Sequence, residues 1–458
     1  MATDRHAHTM TYTDADAVRH YEKALDSLLF FREEVASGVA DVLDASPRSA
    51  MGNVFRAYLG LLGTEEKDAA EAAKAFRAYQ RDVHVADVTA RERMHVAAVS
   101  AWLAGDLHRA GDILAELTVA YPRDALALAV GHHIDFLTGN AMLLRDRIGG
   151  ALSAWDADDP QYGLIQGRYA FGLEEAGHYD LAERTGIEAV ERNARDVWGI
   201  HAVVHAYEMQ GRYEDGIRYF DARTDDWADG NSLKVHNWWH YALYVMETGR
   251  TDKVLAVYDA AVHNEGSAGL AMELLDAASL LWRLYLAGVD TGHRWSTLAD
   301  GWARRHDGAY YAFNDVHAVM AYVGADRIAE AERLIRDREA WLRDAGGSAG
   351  VSNVLMTSEI GLPVSRALVA YGQGQHRDAV DLLLPLRYRF HSFGGSHAQR
   401  DALQRTLFEA ALHAGHHDLA RSLLSERINL RPRCPHDRNA QNRLNERTAA
   451  VLPADRVR

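Results

Sequence analysis

Five residues stand at spacings that suit chemistry. His201 and His205 lie four apart, Glu208 follows three later, and His236 and His240 repeat the four-residue interval. On a helix, residues three and four apart share one face, so each pair would project its imidazoles together. Asp276, Asn314, Asp315 and His317 come next along the chain, and His397 with Arg400 form a later group. Three readings of these residues stay open. The first is a divalent metal held by His201, His205, His236 and His240, since paired imidazoles on neighbouring helices plus a carboxylate build helical metal centres. Zinc, iron or manganese would suit such donors. The second is metal-free acid–base catalysis, with His205 or His240 as general base, Glu208 or Asp315 orienting it and Asn314 donating to a developing oxyanion. The third is structural, with these groups satisfying one another in a buried interior. No HExxH or CxxC sharpens the metal reading, and no Rossmann fingerprint, P-loop or flavin signature implies a nucleotide cofactor.

The elements that carry these residues follow from a repeat. Glycines at 63, 105, 139, 177, 211, 249, 288, 324, 374 and 415 each end an amphipathic run, with central gaps of 34 to 39 residues. A fixed period of that size marks stacked helical hairpins. Alanine stands five residues after five of them, at Ala110, Ala182, Ala329, Ala379 and Ala420. There a small side chain lets the second helix approach the first, while glycine supplies the positive-φ turn. The expected fold is an all-α solenoid of about ten hairpins. No alternating Val/Ile/Thr run predicts a sheet.

Residues 1–10 are expected to be disordered, 11–430 to form one solenoid domain, and 431–458 to be a polar, arginine-rich tail. Asp14 to Val42 reads as one long helix by its apolar periodicity. Ser396 with Gln399 has capping-box spacing and starts another. The first turn after Ser396 offers backbone N–H groups and Arg400 to an anion or carboxylate, near His397. Gly346 to Gly350 matches a nucleophile elbow only formally, because no strand precedes it, and is read as a loop.

Composition narrows the partners. A formal net charge of −15 makes nucleic acid and anionic membranes unfavourable. The single cysteine, Cys434, fits a reducing compartment, and no apolar run is long enough for a signal or a membrane span. A cytoplasmic location is expected. Lysine occurs only five times among 50 basic residues, a bias read as genome composition of bacterial type.

Several strings carry a family likeness: His201-Ala-Val-Val-His205-Ala-Tyr-Glu208, His236-Asn-Trp-Trp-His240-Tyr, Phe313-Asn-Asp-Val-His317 and Gly394-Gly-Ser-His-Ala-Gln-Arg-Asp401. With Leu383-Leu-Pro-Leu-Arg-Tyr388 and Trp155 to Pro160, they resemble the tetratricopeptide repeat protein 38 family over roughly residues 15–435. The resemblance implies a tetratricopeptide-like right-handed superhelix with a concave inner groove, and it implies no settled activity. It also implies that residues ten, six and three before a hairpin glycine face that groove. His201, His205 and Glu208 hold those offsets from Gly211, and Asn314 stands ten before Gly324.

The reading that follows is an inner His/Asn/carboxylate pocket for a small molecule, with Trp239 and Phe313 as apolar walls. His201, His236, Asp276, His317, His397 and Arg400 would contact the ligand. If catalytic, the site suits hydrolysis or proton transfer. The alternative is a non-catalytic scaffold that takes a peptide or partner protein in the groove. Scarce lysine weighs against capture of a terminal carboxylate.

Overall fold

The computed structural model describes residues 2–305, 308–344 and 350–451. Helical hairpins follow one another almost throughout, so the all-α solenoid is the architecture. Apolar side chains from Met10 to Leu444 join one continuous core between neighbouring hairpins. That is how a repeat buries a face it cannot bury alone.

The glycine turns set the register. Gly105, Gly139, Gly177, Gly211, Gly249, Gly288, Gly374 and Gly415 all have φ between 68° and 87°. Two turns shift. At Gly63 the positive φ passes to Thr64, and at Gly324 it passes to Asp326. The small buried residue shifts with it, to Ala69 and Ala331, each five beyond the turning residue. Ala329, counted from the glycine, is therefore exposed.

Three expectations need correction. The amino terminus is ordered: Ala2–Thr3 pairs antiparallel with Thr9–Met10, and Met10 is fully buried. Arg5 ties this small hairpin to Asp26 at 3.0 and 3.1 Å, contacts that local periodicity does not reveal. The single helix expected over Asp14–Val42 breaks into Ala15–Leu29 and Val35–Ala45, because Phe31 turns with φ 57°. The supposed tail continues the array. Pro435–Val451 is helical, and Arg431 and Cys434 are buried. Its arginines find carboxylates there: Arg431 pairs with Asp401, and nearby Arg427 with Asp437. The Gly346 loop, over residues 345–349, lies outside the described residues.

The array curls until distant hairpins meet. Ala271 N donates to Glu65 Oε1 at 2.9 Å and Asn314 Nδ2 to the Thr64 carbonyl at 3.1 Å. Leu107 N donates to Ser352 Oγ at 3.0 Å, and Trp282 Nε1 to Thr406 Oγ1 at 2.8 Å. Inner helices from widely separated repeats thus face one another at short range, and the polar residues they carry become interior.

Candidate metal centre

Two neighbouring inner helices carry the four histidines. Asp196 starts the first, Val197–Met209, by accepting from Gly199 N at 3.0 Å, and all thirteen residues of that helix are buried. His201 and His205 point from one face of it. The second helix, Lys234–Glu247, packs alongside, with Tyr244 Oη donating to the Val204 carbonyl. His236 and His240 project from it toward the first pair.

The rings converge. One nitrogen from each of His201, His205, His236 and His240 lies within 4.8 Å of the others, and His201 Nε2 is 3.1 Å from His236 Nε2. Behind three of the rings stands a carboxylate. Asp276 Oδ2 is 2.8 Å from His236 Nδ1, Glu208 Oε2 is 3.3 Å from His240 Nδ1, and Glu174 Oε2 is 3.3 Å from His205 Nδ1. Asp276 and Glu208 each fix an Nδ1–H tautomer and turn Nε2 inward, while Glu174 faces His205 Nδ1 as an ion-pair partner. Metal-binding histidines are held in this way by their outer partners. Inside the cluster, His205 Nε2 and His240 Nε2 are buried without a hydrogen-bond partner.

Aromatic rings complete the wall. Phe171 lies 5.1 Å from His201 and edge-on to His205 at 5.2 Å, while Trp239 stacks on His236 at 5.2 Å. Trp239 is fully buried, so it supports a ring of the centre and presents no open face.

The electrostatics separate the four rings. Burial, then the neighbouring imidazoles, push His201 and His240 well below the ordinary histidine value. Both are neutral near pH 7, the form a metal ligand requires. Burial opposes charge on His205 too, but the Glu174 carboxylate outweighs it and holds His205 above its usual value. Burial raises the Glu208 carboxyl.

The remaining expected site residues divide. His397 reaches the edge of the cluster, with Nδ1 3.7 Å from Glu174 Oε1. Ser396 and Gln399 form the capping box their spacing predicts. The anion expected at that helix start is the chain's own Glu175: His397 N donates to Oε1 at 2.8 Å and Arg400 to Oε2 at 3.1 Å. Arg400 is therefore engaged internally.

The structure does not assemble Asn314 and Asp315 with the histidines. Asn314 donates to Thr64, and Asp315 takes both arms of Arg338 at 2.8 and 2.9 Å, beside a separate cavity of about 390 Å³. The oxyanion and orienting roles given to them therefore fall away, because closure of the array supplied other partners. Phe313 packs on His317 and Phe393, and His317 Nδ1 donates to the Phe313 carbonyl at 2.7 Å.

Sequence reading missed Glu174 and Glu175. A signal was present: Glu174 stands three before Gly177, the offset Glu208 holds before Gly211. Next to His397 opens a cavity of about 690 Å³, with His397, Arg400, His391 and Gln404 in its lining.

No family model matches the chain. Among solved structures it is similar to the APC/C hetero-tetramer Cut9–Hcn1, at 12% identity over 91% of this chain and 87% of that one, with a TM-score of 0.36. It is also similar to the human IFIT1 dimer with m7Gppp-AAAA, at 12% identity over 95% and 96% and a TM-score of 0.41. A third similarity is to Naa15/Naa10 bound to HypK-THB, at 12% identity over 96% and 68% and a TM-score of 0.26.

Proposed function

We propose that this helical-repeat protein binds a divalent transition metal through His201, His205, His236 and His240, and receives a small molecule in the cavity beside His397. One observation carries the metal reading: imidazole nitrogens from two helices converge within 4.8 Å while carboxylates hold three of the rings from behind. A tetrahedral ion with bonds of about 2.0–2.1 Å needs nitrogens about 3.4 Å apart, a small contraction from that arrangement. An all-imidazole set suits zinc, copper, iron or nickel. Such an ion would fix the two helices together, as a closed four-ligand site does.

Elemental analysis of tag-free protein, purified without chelator, tests this. At least one ion per chain is expected, with one fewer in His240→Ala and helix content unchanged. A protein that takes up no metal on loading would contradict it and return the histidines to a structural role.

The second part rests on the cavity, whose volume is that of pockets for small organic ligands. Metal-free acid–base chemistry is the second reading of the histidine cluster, with Glu208 orienting His240. A scaffold role has one observation in its favour: Leu355 and Tyr388, 60% and 66% exposed, both rim this cavity. Replacing both by serine abolishes capture of a partner protein if that role is real, and leaves small-molecule binding largely intact if it is not.

A further inference from the structure

The four-histidine centre is closed on itself, and its ligand atoms do not include His397, a titratable group that reaches both interior and cavity. That residue sits at the first turn of His397–His413, lines the 690 Å³ cavity, and turns Nδ1 inward. Nδ1 is 3.7 Å from Glu174 Oε1 and 3.9 Å from Glu175 Oε1. Both separations are too long for hydrogen bonds. They are close to the roughly 3.4 Å that separates two ligands of one tetrahedral ion.

A second observation points to a ligand between them. Glu174 is completely buried; its Oε2 lies against His205 Nδ1 at 3.3 Å, but its Oε1 has no hydrogen-bond partner, and neither has His397 Nδ1. A buried carboxylate oxygen left without a partner is costly unless a cation or donor meets it. Glu175, by contrast, is fixed from outside by the His397 backbone and by Arg400. That is the way outer-shell donors orient a ligating carboxylate.

We propose that Glu174, Glu175 and His397 form a second divalent-cation site, distinct from the four-histidine centre and on the cavity side of it. Three protein ligands leave a coordination position, as catalytic sites do, whereas four histidines close a structural one. Two carboxylates and one imidazole suit zinc or manganese. The ligand class follows from the surroundings. An oxygen donor would complete the ion, and an apolar body would lie against Met142, Met356 and Ile360 in the cavity wall. Glu174 links the two sites, since its other oxygen is the one behind His205.

Cobalt(II) is the probe, titrated into chelator-stripped full-length protein, with stoichiometry from equilibrium dialysis and site geometry from visible absorption. Two ions per chain are expected in the wild type. His397→Ala should hold one, keeping the four-histidine absorption, and His240→Ala should hold one, losing it. His397→Gln is read in place of His397→Ala if the alanine variant misfolds, with the same expectation. A wild-type stoichiometry of one, lost in His240→Ala and kept in His397→Ala, overturns the second site and leaves the first standing. Two ions retained in both His397 variants overturns it as well. A protein that binds no cobalt overturns both sites.

Discussion

Asp196 illustrates how burial sets the charge of one residue beneath the centre. Its carboxyl caps the helix that carries His201 and His205, and burial pushes its pKa up to about 7 despite the Gly199 N–H. The folded state therefore keeps a proton that the unfolded chain releases near pH 4. The stability tied to that proton is fully present below about pH 4 and is lost as pH rises to about 7, at about 1.4 kcal/mol per unit. Asp196→Asn keeps a capping oxygen and has no proton to lose. Calorimetry should show its Tm raised by several degrees at pH 8 and much less at pH 4.5; equal shifts at both would contradict the assignment. At this scale the four histidines were legible, because helical spacing alone places both pairs on faces. Glu174 was less so, since a lone glutamate three before a glycine gains meaning only when His205 is seen opposite it.

At the scale of elements, the carboxyl-terminal segment holds the interior together. Asp401 lies among Arg405, Arg427 and Arg431, which outweigh its burial and hold its carboxyl well below the usual range. Glu247 pairs with Arg405 and accepts from His436 N at 3.0 Å. Deleting 431–458 removes Arg431 from Asp401, the His436 N–H from Glu247 and Asp437 from Arg427, and each buried group left short of a partner costs about 1–3 kcal/mol. Thermal unfolding of the truncated chain should begin at least about 5 °C lower; an unchanged Tm would restore the reading of this segment as a tail. Glycine turns read directly from the period, whereas the end of the chain did not. Its arginines look solvated until carboxylates from two other helices appear beside them. The amino-terminal hairpin was hidden for the same reason, being held by Asp26.

For the whole molecule, closure decides the behaviour. In an open solenoid each repeat touches only its neighbours, and unfolding can proceed piecemeal. Here Thr64 meets Asn314, Glu175 meets Arg400 and Trp282 meets Thr406. Far-ultraviolet circular dichroism and tryptophan fluorescence should therefore give coincident denaturant transitions. Separate midpoints would show that the contacts across the array add little. Periodicity predicted the hairpins, but such contacts join residues more than a hundred apart and have no local signature. Closure is also why Asn314, at the expected inner offset, serves Thr64 and not the histidines.

The central claim is that two neighbouring inner helices bring four imidazoles onto one ion. X-ray absorption at the metal edge of loaded His397→Ala protein, in which only this centre should remain, tests it most directly. The account predicts about four nitrogen neighbours at about 2.0–2.1 Å with the outer-shell pattern of imidazole rings. A first shell dominated by oxygen, or an imidazole pattern that persists unchanged when His201 and His240 are both replaced by alanine, would contradict it.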